Sequence, residues 1–273
     1  MTSPLGLKPD LPVVDLTSEA FDLLWQKRQQ VLRMFLPIIV VLAAVDWLSQ
    51  YLYPPVEENG EVLFQPAQML FVIASLLLSI LMATACHRFT LLPKEQWEAN
   101  ALHGFRRDEW RYLLRSIVIG LLVAVSAVLV MVIGLSILGE QGLVPVAVVT
   151  VMLALYVLSR LAITLPALAL GQHSPLKDAW QLSRGNGSRL VIVVFLIPML
   201  MGSPFFILLA LQAEVGLLAY LASFGVYITS LISLVMLSLA YQFLCDLKGV
   251  EAVQDASSAQ EQKADDDDKH FDA

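Results

Sequence analysis

The positions of the basic residues relative to six long apolar runs constrain the fold and topology of this chain more than any other feature. All 17 Lys and Arg residues lie before the first run, between the second and third, at or after the end of the fourth, or after the sixth. The alternate connections, around 53–68, 139–143 and 212–216, contain acids and no base. The positive-inside rule therefore predicts that both termini and the two basic loops are cytoplasmic.

Each apolar run is long enough to cross a lipid bilayer as a helix. Hydrophobic residues make up 58% of the chain and charged residues 15%, a balance that excludes an ordinary soluble domain. A bilayer core of ~30 Å needs about 20 helical residues. The runs are continuous rather than alternating, which argues against membrane-spanning strands. We predict an all-α bundle of six transmembrane helices, at roughly 33–52, 68–87, 116–138, 144–168, 190–212 and 217–244.

The polar segments divide the chain into three parts. Residues 1–32 form a polar N-terminal segment without the apolar centre of a signal peptide, so we expect no cleavage there. Residues 33–246 form the transmembrane domain. Residues 247–273 form an acidic tail that is predicted to be disordered. Within the tail, the string Asp265–Lys269 also resembles a protease site used in expression tags.

Three cytoplasmic segments mix aromatic and basic residues, which is typical of helices that lie in the headgroup region. The first covers Ser18–Arg33 and the second covers Trp97–Arg115. The third starts with Ser174 as its N-cap and Pro175 at the first helical position, and it ends at Gly185. The tryptophans that we expect at headgroup level are Trp97, Trp110 and Trp180.

These segments also suggest an internal repeat, in which an interfacial helix leads into a transmembrane hairpin. The first two hairpins close with similar sequences, Arg88–Pro93 and Arg160–Pro166. The third hairpin has neither Arg nor Pro at that place, so chance similarity among six apolar helices is the alternative. The repeat units would cover about 18–88, 97–170 and 174–246.

Ionisable residues inside a span are costly and are the first candidates for function. Arg160 lies close to the cytoplasmic end of the fourth span, where it either supports its own interface or binds a lipid phosphate or a partner. Asp46 lies near the outer end of the first span beside Trp47 and Tyr51, which favours an interfacial carboxylate. The depths of Arg160 and Asp46 differ by roughly 14 Å, so we expect no direct salt bridge between them.

Two polar strips and one proline-rich span complete the features inside the membrane. Tyr156, Arg160 and Thr164 share one face of the fourth helix. Such strips usually pack against other helices, and a substrate path is the alternative. The prolines and the glycine expected to kink the fifth helix are Pro198, Gly202 and Pro204. The second strip, on the sixth helix, comprises Tyr220, Ser223, Tyr227 and Ser230.

The sequence contains few features that are typical of a catalytic site. The chain has no HExxH, GxSxG or Walker motif and no dinucleotide-binding glycine fingerprint. His87 lies at a helix end without ligand-like spacing, and its neighbour Cys86, like Cys245, is interpreted as a packed free thiol. The acid pair Asp108 and Glu109 is interpreted as part of a solvated charged run. We therefore predict no catalytic, cofactor or metal site.

Two stretches near the end of the fourth run resemble a group of bacterial integral membrane proteins. They are Arg160-Leu-Ala-Ile-Thr-Leu-Pro-Ala-Leu-Ala and Pro175-Leu-Lys-Asp-Ala-Trp-Gln-Leu-Ser-Arg-Gly-Asn-Gly-Ser-Arg189. They are similar to the YciC-like proteins and to the membrane domain attached to some glycerophosphoryl diester phosphodiesterases. The non-membrane segments are too short for the catalytic barrel of those enzymes, so their catalysis is not transferred. The resemblance implies a helical inner-membrane protein with interface roles for Arg160, Pro166, Trp180, Arg184 and Gly185.

We therefore predict a non-enzymatic inner-membrane protein that organises a membrane complex or the envelope through its basic cytoplasmic face. The alternatives are a transporter or lipid-handling protein with a site near that face, or an intramembrane enzyme. A continuous polar cavity would favour transport, whereas a tightly packed bundle would favour scaffolding. The expected partners are membrane lipids and other membrane proteins, and no nucleic acid. The candidate lipid, partner or structural interface comprises Arg160, Tyr156, Trp180, Arg184 and Arg189.

Overall fold

The protein is an all-α bundle, which confirms the predicted fold class. Apart from the helices, two short strands, β1 (Glu57–Glu58) and β2 (Glu61–Val62), pair antiparallel in the first connection. The residues that this computed structural model describes are 6, 10–54, 57–58, 61–62, 65–211, 216–250 and 252. The helices are α1 (Val13–Gln26), α2 (Arg28–Leu52), α3 (Gln68–Leu91), α4 (Arg107–Leu138), α5 (Leu143–Ala162), α6 (Thr164–Ala169), α7 (Leu176–Leu182), α8 (Gly187–Val191), α9 (Ile197–Leu211) and α10 (Gly216–Lys248).

Within the described part of the chain, six helical stretches are long and apolar enough to cross a membrane, which confirms the number and order of the predicted spans. The first, second, third and sixth spans lie in α2, α3, α4 and α10. The fourth runs through α5 and α6, and the fifth runs through α8 and α9. The predicted disorder of the tail concerns residues that, from 253 onward, lie outside the described part of the chain.

Contacts between helix ends show that the spans alternate in direction. The Arg88 guanidinium at the end of α3 donates to the Ala169 carbonyl at the end of α6, with 2.8 Å between Nε and the oxygen. Arg115, near the start of α4, donates to the Ser174 carbonyl at 2.8 Å. The Ala101 backbone N–H donates to the Met34 carbonyl near the start of α2 at 3.1 Å, and the Tyr241 hydroxyl near the end of α10 donates to Gln172 after α6 at 3.1 Å. The starts of α2 and α4 and the ends of α3, α6 and α10 therefore share one end of the bundle. We call this the basic end, since the bases predicted to be cytoplasmic cluster there.

Helix α10 forms the centre of the bundle. It packs against α1, α2, α3 and α9, and half of its most apolar stretch is buried inside the chain. Small residues on α10 permit this close packing, because they let neighbouring helices approach the backbone. At Gly225, an added Cβ would lie 2.1 Å from Cδ1 of Phe205 on α9. The ring of Phe205 therefore occupies the space that a side chain at position 225 would need.

The fifth span contains the irregularity that its prolines predict. A π-helical segment, Ile192–Leu196, separates α8 from α9 and ends two residues before Pro198. Because Pro198 has no backbone N–H, the carbonyl of Val194 loses its normal helical donor. The hydroxyl of Ser233 on α10 donates to this carbonyl instead, at 3.1 Å. A polar side chain on the central helix thus donates to a backbone carbonyl at the irregular segment of the fifth span.

The segment predicted as an interfacial helix over 97–115 is different in the structure. Residues 97–106 are not helical, and α4 begins at Arg107 and continues without a break into the third span. The helix starts there because the Glu109 carboxylate accepts the backbone N–H of Arg106 at 2.9 Å, which caps the first turn. Trp97 instead packs against its own bundle, with its ring 4.6 Å from that of Phe89.

The other two predicted interfacial helices are present with shifted boundaries. The N-terminal helix covers α1, so it starts before residue 18 and ends at Gln26 rather than at Arg33. Arg33 belongs to α2, whose helix starts before the predicted first span. The short helix α7 has Pro175 rather than Ser174 as its N-cap. The depth of these helices in a membrane stays a prediction.

We expect Gly225→Ala to lower the stability of the bundle, because the new methyl group must displace the Phe205 ring. Overpacking of this kind costs about 1–3 kcal/mol. Gly120→Ala on α4 is the matched control, since nothing lies within 4 Å of a Cβ built at Gly120. Thermal unfolding in detergent should show a lower melting temperature for Gly225→Ala only. Equal melting temperatures for the two variants would contradict the packing described for α9 and α10.

Candidate functional site

Arg160 is buried near the basic end of α5, with only 7% of its surface exposed. Its Nε donates to the Ser183 hydroxyl at 2.9 Å, and a terminal nitrogen donates to the Trp180 carbonyl. A longer contact of 3.4 Å joins the guanidinium to the Tyr156 hydroxyl. The guanidinium also stacks on the indole of Trp180, with Cζ 3.6 Å from the ring centre. The arginine thereby connects α5 to α7.

The sequence around Arg160 explains this placement. Tyr156 lies one turn earlier on the same face of α5, so both side chains point toward the α7–α8 region. The Tyr156 ring fits there because Gly187 has no side chain: a Cβ at Gly187 would lie 2.6 Å from the ring. The Ser183 hydroxyl donates to the Ala179 carbonyl at 2.7 Å, which leaves its oxygen to accept from Arg160.

The structure separates the five predicted interface residues into three places. Tyr156, Arg160 and Trp180 form one cluster. Arg189 is directed toward the N-terminal segment, where it pairs with Asp10 at 2.9 Å and donates to the Leu11 carbonyl at 2.9 Å. Arg184 is exposed and lines a separate cavity. These five residues therefore do not form a single site.

Arg88, which sequence analysis treated only as part of the repeat, is the centre of a second buried cluster. It is 7% exposed, like Arg160, and it pairs with the Glu109 carboxylate at 2.7 Å. Asp108 and Glu98 lie farther away, at 3.6 and 3.5 Å. Together with its bond to the Ala169 carbonyl, these contacts join α3, α4 and α6 at the basic end.

The prediction that Asp108 and Glu109 belong to a solvated run is wrong for Glu109, which is fully buried. Its carboxylate both caps α4 and neutralises Arg88, so two separate interactions hold it inside the protein. The sequence signal that could have identified Arg88 as a buried residue is the similarity between Arg88–Pro93 and Arg160–Pro166. It marks Arg88 as the counterpart of a buried arginine.

His87 lies inside α3 and is fully buried, which corrects its predicted place at a helix end. Its Nδ1 is 2.7 Å from the Ser238 hydroxyl, and its Nε2 is 3.1 Å from the Tyr112 hydroxyl. The Ser238 hydrogen goes to the Leu234 carbonyl at 2.8 Å. Ser238 therefore accepts from Nδ1–H, and Nε2 accepts from the Tyr112 hydroxyl. This neutral tautomer satisfies both ring nitrogens and links α3, α4 and α10.

Asp46 forms hydrogen bonds within the bundle, and its predicted place at the membrane interface stays a prediction. Its two carboxylate oxygens accept from the Ser75 hydroxyl at 3.0 Å and from the Tyr227 hydroxyl at 2.5 Å. The carboxylate thus joins α2, α3 and α10 toward the end opposite the basic end. Arg160 bonds to other partners, as expected from the difference in depth. Of the polar strip on the sixth span, Tyr227 is therefore used in packing between helices.

A cavity of about 690 Å³ opens at the basic end between the α6–α7 connection and the end of α10. Its lining combines apolar side chains with polar and charged ones. Among the residues that the structure describes, no group of three His, Cys, Asp or Glu residues could hold a metal ion. The cavity is lined chiefly by Ile163, Ala167, Gln172, His173, Asp178, Leu182, Arg184, Tyr241, Cys245 and Lys248.

Comparison with known proteins adds nothing to these contacts: no family model, no curated protein and no solved structure matches the chain. The resemblance to the YciC-like proteins therefore stays a prediction. The function has to be argued from the geometry of the described residues.

Glu109→Gln should destabilise the protein strongly, because it leaves the buried Arg88 charge without its closest carboxylate. Breaking a buried pair in this way costs about 3–5 kcal/mol. Glu95→Gln is the control, since Glu95 is exposed and forms no ion pair in the described part of the chain. Melting curves in detergent should separate the two variants, and an unchanged curve for Glu109→Gln would refute the role assigned to the pair.

Arg160→Lys should lower the melting temperature, because an ammonium group cannot reproduce the planar fork or the stacking on Trp180. We expect a cost of about 1–3 kcal/mol, in line with the loss of buried charged hydrogen bonds. Arg160→Ala should cost more, whereas Arg184→Lys at an exposed position should be neutral. If both Arg160 variants melted like the unchanged protein, Arg160 would not be a structural residue.

Proposed function

We propose that this chain is a non-enzymatic, multi-pass protein of the bacterial inner membrane that organises a membrane complex or the envelope. In this proposal both termini and the basic end face the cytoplasm, as the one-sided distribution of bases predicts. The observation that carries the proposal is the position of α4. Only 6% of the most apolar stretch of α4 is made of residues buried inside the chain, whereas the share is 50% in the sixth span.

Helix α4 is attached to the rest of the molecule mainly through its first four turns. Its buried residues all lie between Glu109 and Ile119, and the remainder of the helix is half-buried or exposed. Beyond that point it packs chiefly on α5, where Val146 fills the space beside Gly134. The α4–α5 hairpin is therefore fixed at the basic end and presents a long face to its surroundings.

Exposure alone does not favour a protein partner, because lipid chains cover an apolar helix face without loss. Gly120 adds a stronger argument. It lies in the middle of α4, is exposed, and has no atom within 4 Å of its missing Cβ. Glycine costs about 1 kcal/mol relative to alanine in a helix, and no packing within the described chain offsets that cost. Ala124 follows one turn later on the same face, which gives the small-xxx-small spacing of packed membrane helices.

The use of polar side chains in the bundle also supports a scaffold. Asp46, His87, Arg88 and Arg160 each bond to side chains or carbonyls of other helices in the same chain. In lipid, such bonds fix the mutual arrangement of the helices. A frame of this kind would hold the α4–α5 hairpin in one orientation toward a partner helix.

The alternative function, a lipid-handling protein or transporter, is favoured by the cavity at the basic end. This cavity is lined from α6, α7 and α10 and does not include Tyr156, Arg160 or the sixth-helix strip predicted for a path. Lipid handling at the basic end is therefore better supported than transport along that path.

The experiment that tests the organising function is site-specific photo-crosslinking in intact membranes. A photoreactive residue at Ile117 lies on the Gly120 side of α4, and one at Leu129 lies two and a half turns from Gly120, on the opposite side. Both positions are exposed, at 52% and 55%. We expect a discrete protein adduct from Ile117 and only lipid adducts from Leu129.

A second variant tests whether formation of the adduct depends on the face of α4 that carries Gly120 and Ala124. Gly120→Leu should abolish the Ile117 adduct, because the added side chain blocks close helix approach, whereas Leu129→Phe should leave the adduct unchanged. Identification of the adduct by mass spectrometry would distinguish a second copy of this chain from a different protein. An Ile117 probe that reacts only with lipid, in the unchanged protein, would sink the proposal.

A further inference from the structure

The cavity at the basic end has two kinds of wall. Ile163, Ala167 and Leu182 provide an apolar wall on the side of the membrane spans. Arg184 and Lys248 contribute cationic side chains, from the turn after α7 and from the last residue of α10. Its volume of about 690 Å³ lies in the range of small-molecule sites. An amphiphilic molecule would match such a lining better than a purely polar or a purely apolar one.

The two cations of the cavity differ from the paired bases elsewhere at the basic end. Arg88, Arg106 and Arg189 each have a carboxylate within ion-pair distance. In the part of the chain that the structure describes, neither Arg184 nor Lys248 has one. Their charges are therefore available to an anion that enters the cavity.

Hydrogen bonds within the protein hold part of the cavity wall in place. The Tyr241 hydroxyl on α10 donates to the side-chain oxygen of Gln172 at 3.1 Å. The amide nitrogen of Gln172 donates to the Ala252 carbonyl at 3.0 Å, so one side chain connects α10 with the segment that follows it. A wall that is fixed before binding lowers the ordering cost of binding.

We propose that this cavity binds a phosphate-bearing amphiphile, with the phosphate on Arg184 and Lys248 and the apolar part against Ile163, Ala167 and Leu182. A guanidinium offers a planar pair of donors to phosphate oxygens, and an ammonium adds a compact charge. Asp178 lines the same cavity, so the charges of Arg184, Lys248 and Asp178 sum to +1. The site therefore suits a singly charged phosphodiester better than a multiply charged anion.

If the cavity lies at the membrane surface as proposed, two kinds of molecule could supply the phosphate: a phospholipid or a free phosphate compound in solution. The apolar wall favours the phospholipid, because an inorganic ion makes no use of it. The inference does not depend on the proposed partner of α4, which concerns a different face of the molecule.

The test measures binding to the full-length protein in a neutral maltoside detergent by isothermal titration calorimetry. The probes are a short-chain phosphatidylglycerol, glycerol phosphate and inorganic phosphate. We expect the phosphatidylglycerol to bind and the Arg184→Gln, Lys248→Gln double variant to bind it at least about tenfold more weakly. Lys177→Gln is the matched control, because Lys177 is an exposed base on α7 that does not line the cavity. It should bind within about twofold of the unchanged protein.

Each outcome decides a part of the proposal. Equal binding by the double variant and the unchanged protein would overturn it, provided that both melt at the same temperature. Equal loss in Lys177→Gln would also overturn it, since the effect would then reflect overall charge. If inorganic phosphate bound as tightly as the phosphatidylglycerol, with both lost in the double variant, the phosphate site would stand and the amphiphile would be excluded.

Discussion

The need to satisfy polar groups inside a lipid-facing bundle is the constraint on which this structure depends. A buried guanidinium is shielded from water, so its donors must find oxygens within the protein. Arg88 and Arg160 do so near the ends of the first and second hairpins, with carbonyls, hydroxyls and one buried carboxylate as acceptors. These contacts join hairpins that lipid-compatible apolar surfaces alone would not hold in one arrangement.

The same constraint produces a molecule that is unevenly packed along its length. Near the basic end, ion pairs and hydrogen bonds connect α3, α4, α5, α6 and α7. Away from that end, α10 still has neighbours on several sides, but α4 packs chiefly on α5. A rigid base that supports a projecting apolar hairpin is suited to binding another membrane helix. The cavity at the basic end is the proposed binding site for a phospholipid headgroup.

The sequence predicted the spans well and the polar clusters poorly, for physical reasons. Apolar length and one-sided bases are local signals, so six spans and their alternation follow directly. The Arg88 and Glu109 pair is a contact between residues that are distant in sequence, and nothing local distinguishes Glu109 from its solvated neighbours. The predicted helix over 97–115 was wrong because aromatic and basic composition does not show where a cap starts a helix. The hydrogen bonds of Asp46 could not be predicted from the sequence, since its partners, Ser75 and Tyr227, lie on other spans.

The most direct test of this account is a double-mutant cycle between Arg88 and Glu109, measured as unfolding free energy in detergent or bicelles. The variants are Arg88→Met, Glu109→Gln and their combination, because methionine fills similar space without charge. If the buried pair holds the hairpins together, each single change leaves an unpaired group and the double change should cost much less than the sum, with a coupling of about 2 kcal/mol or more. Additive costs would show that the two residues act independently and would contradict the central claim.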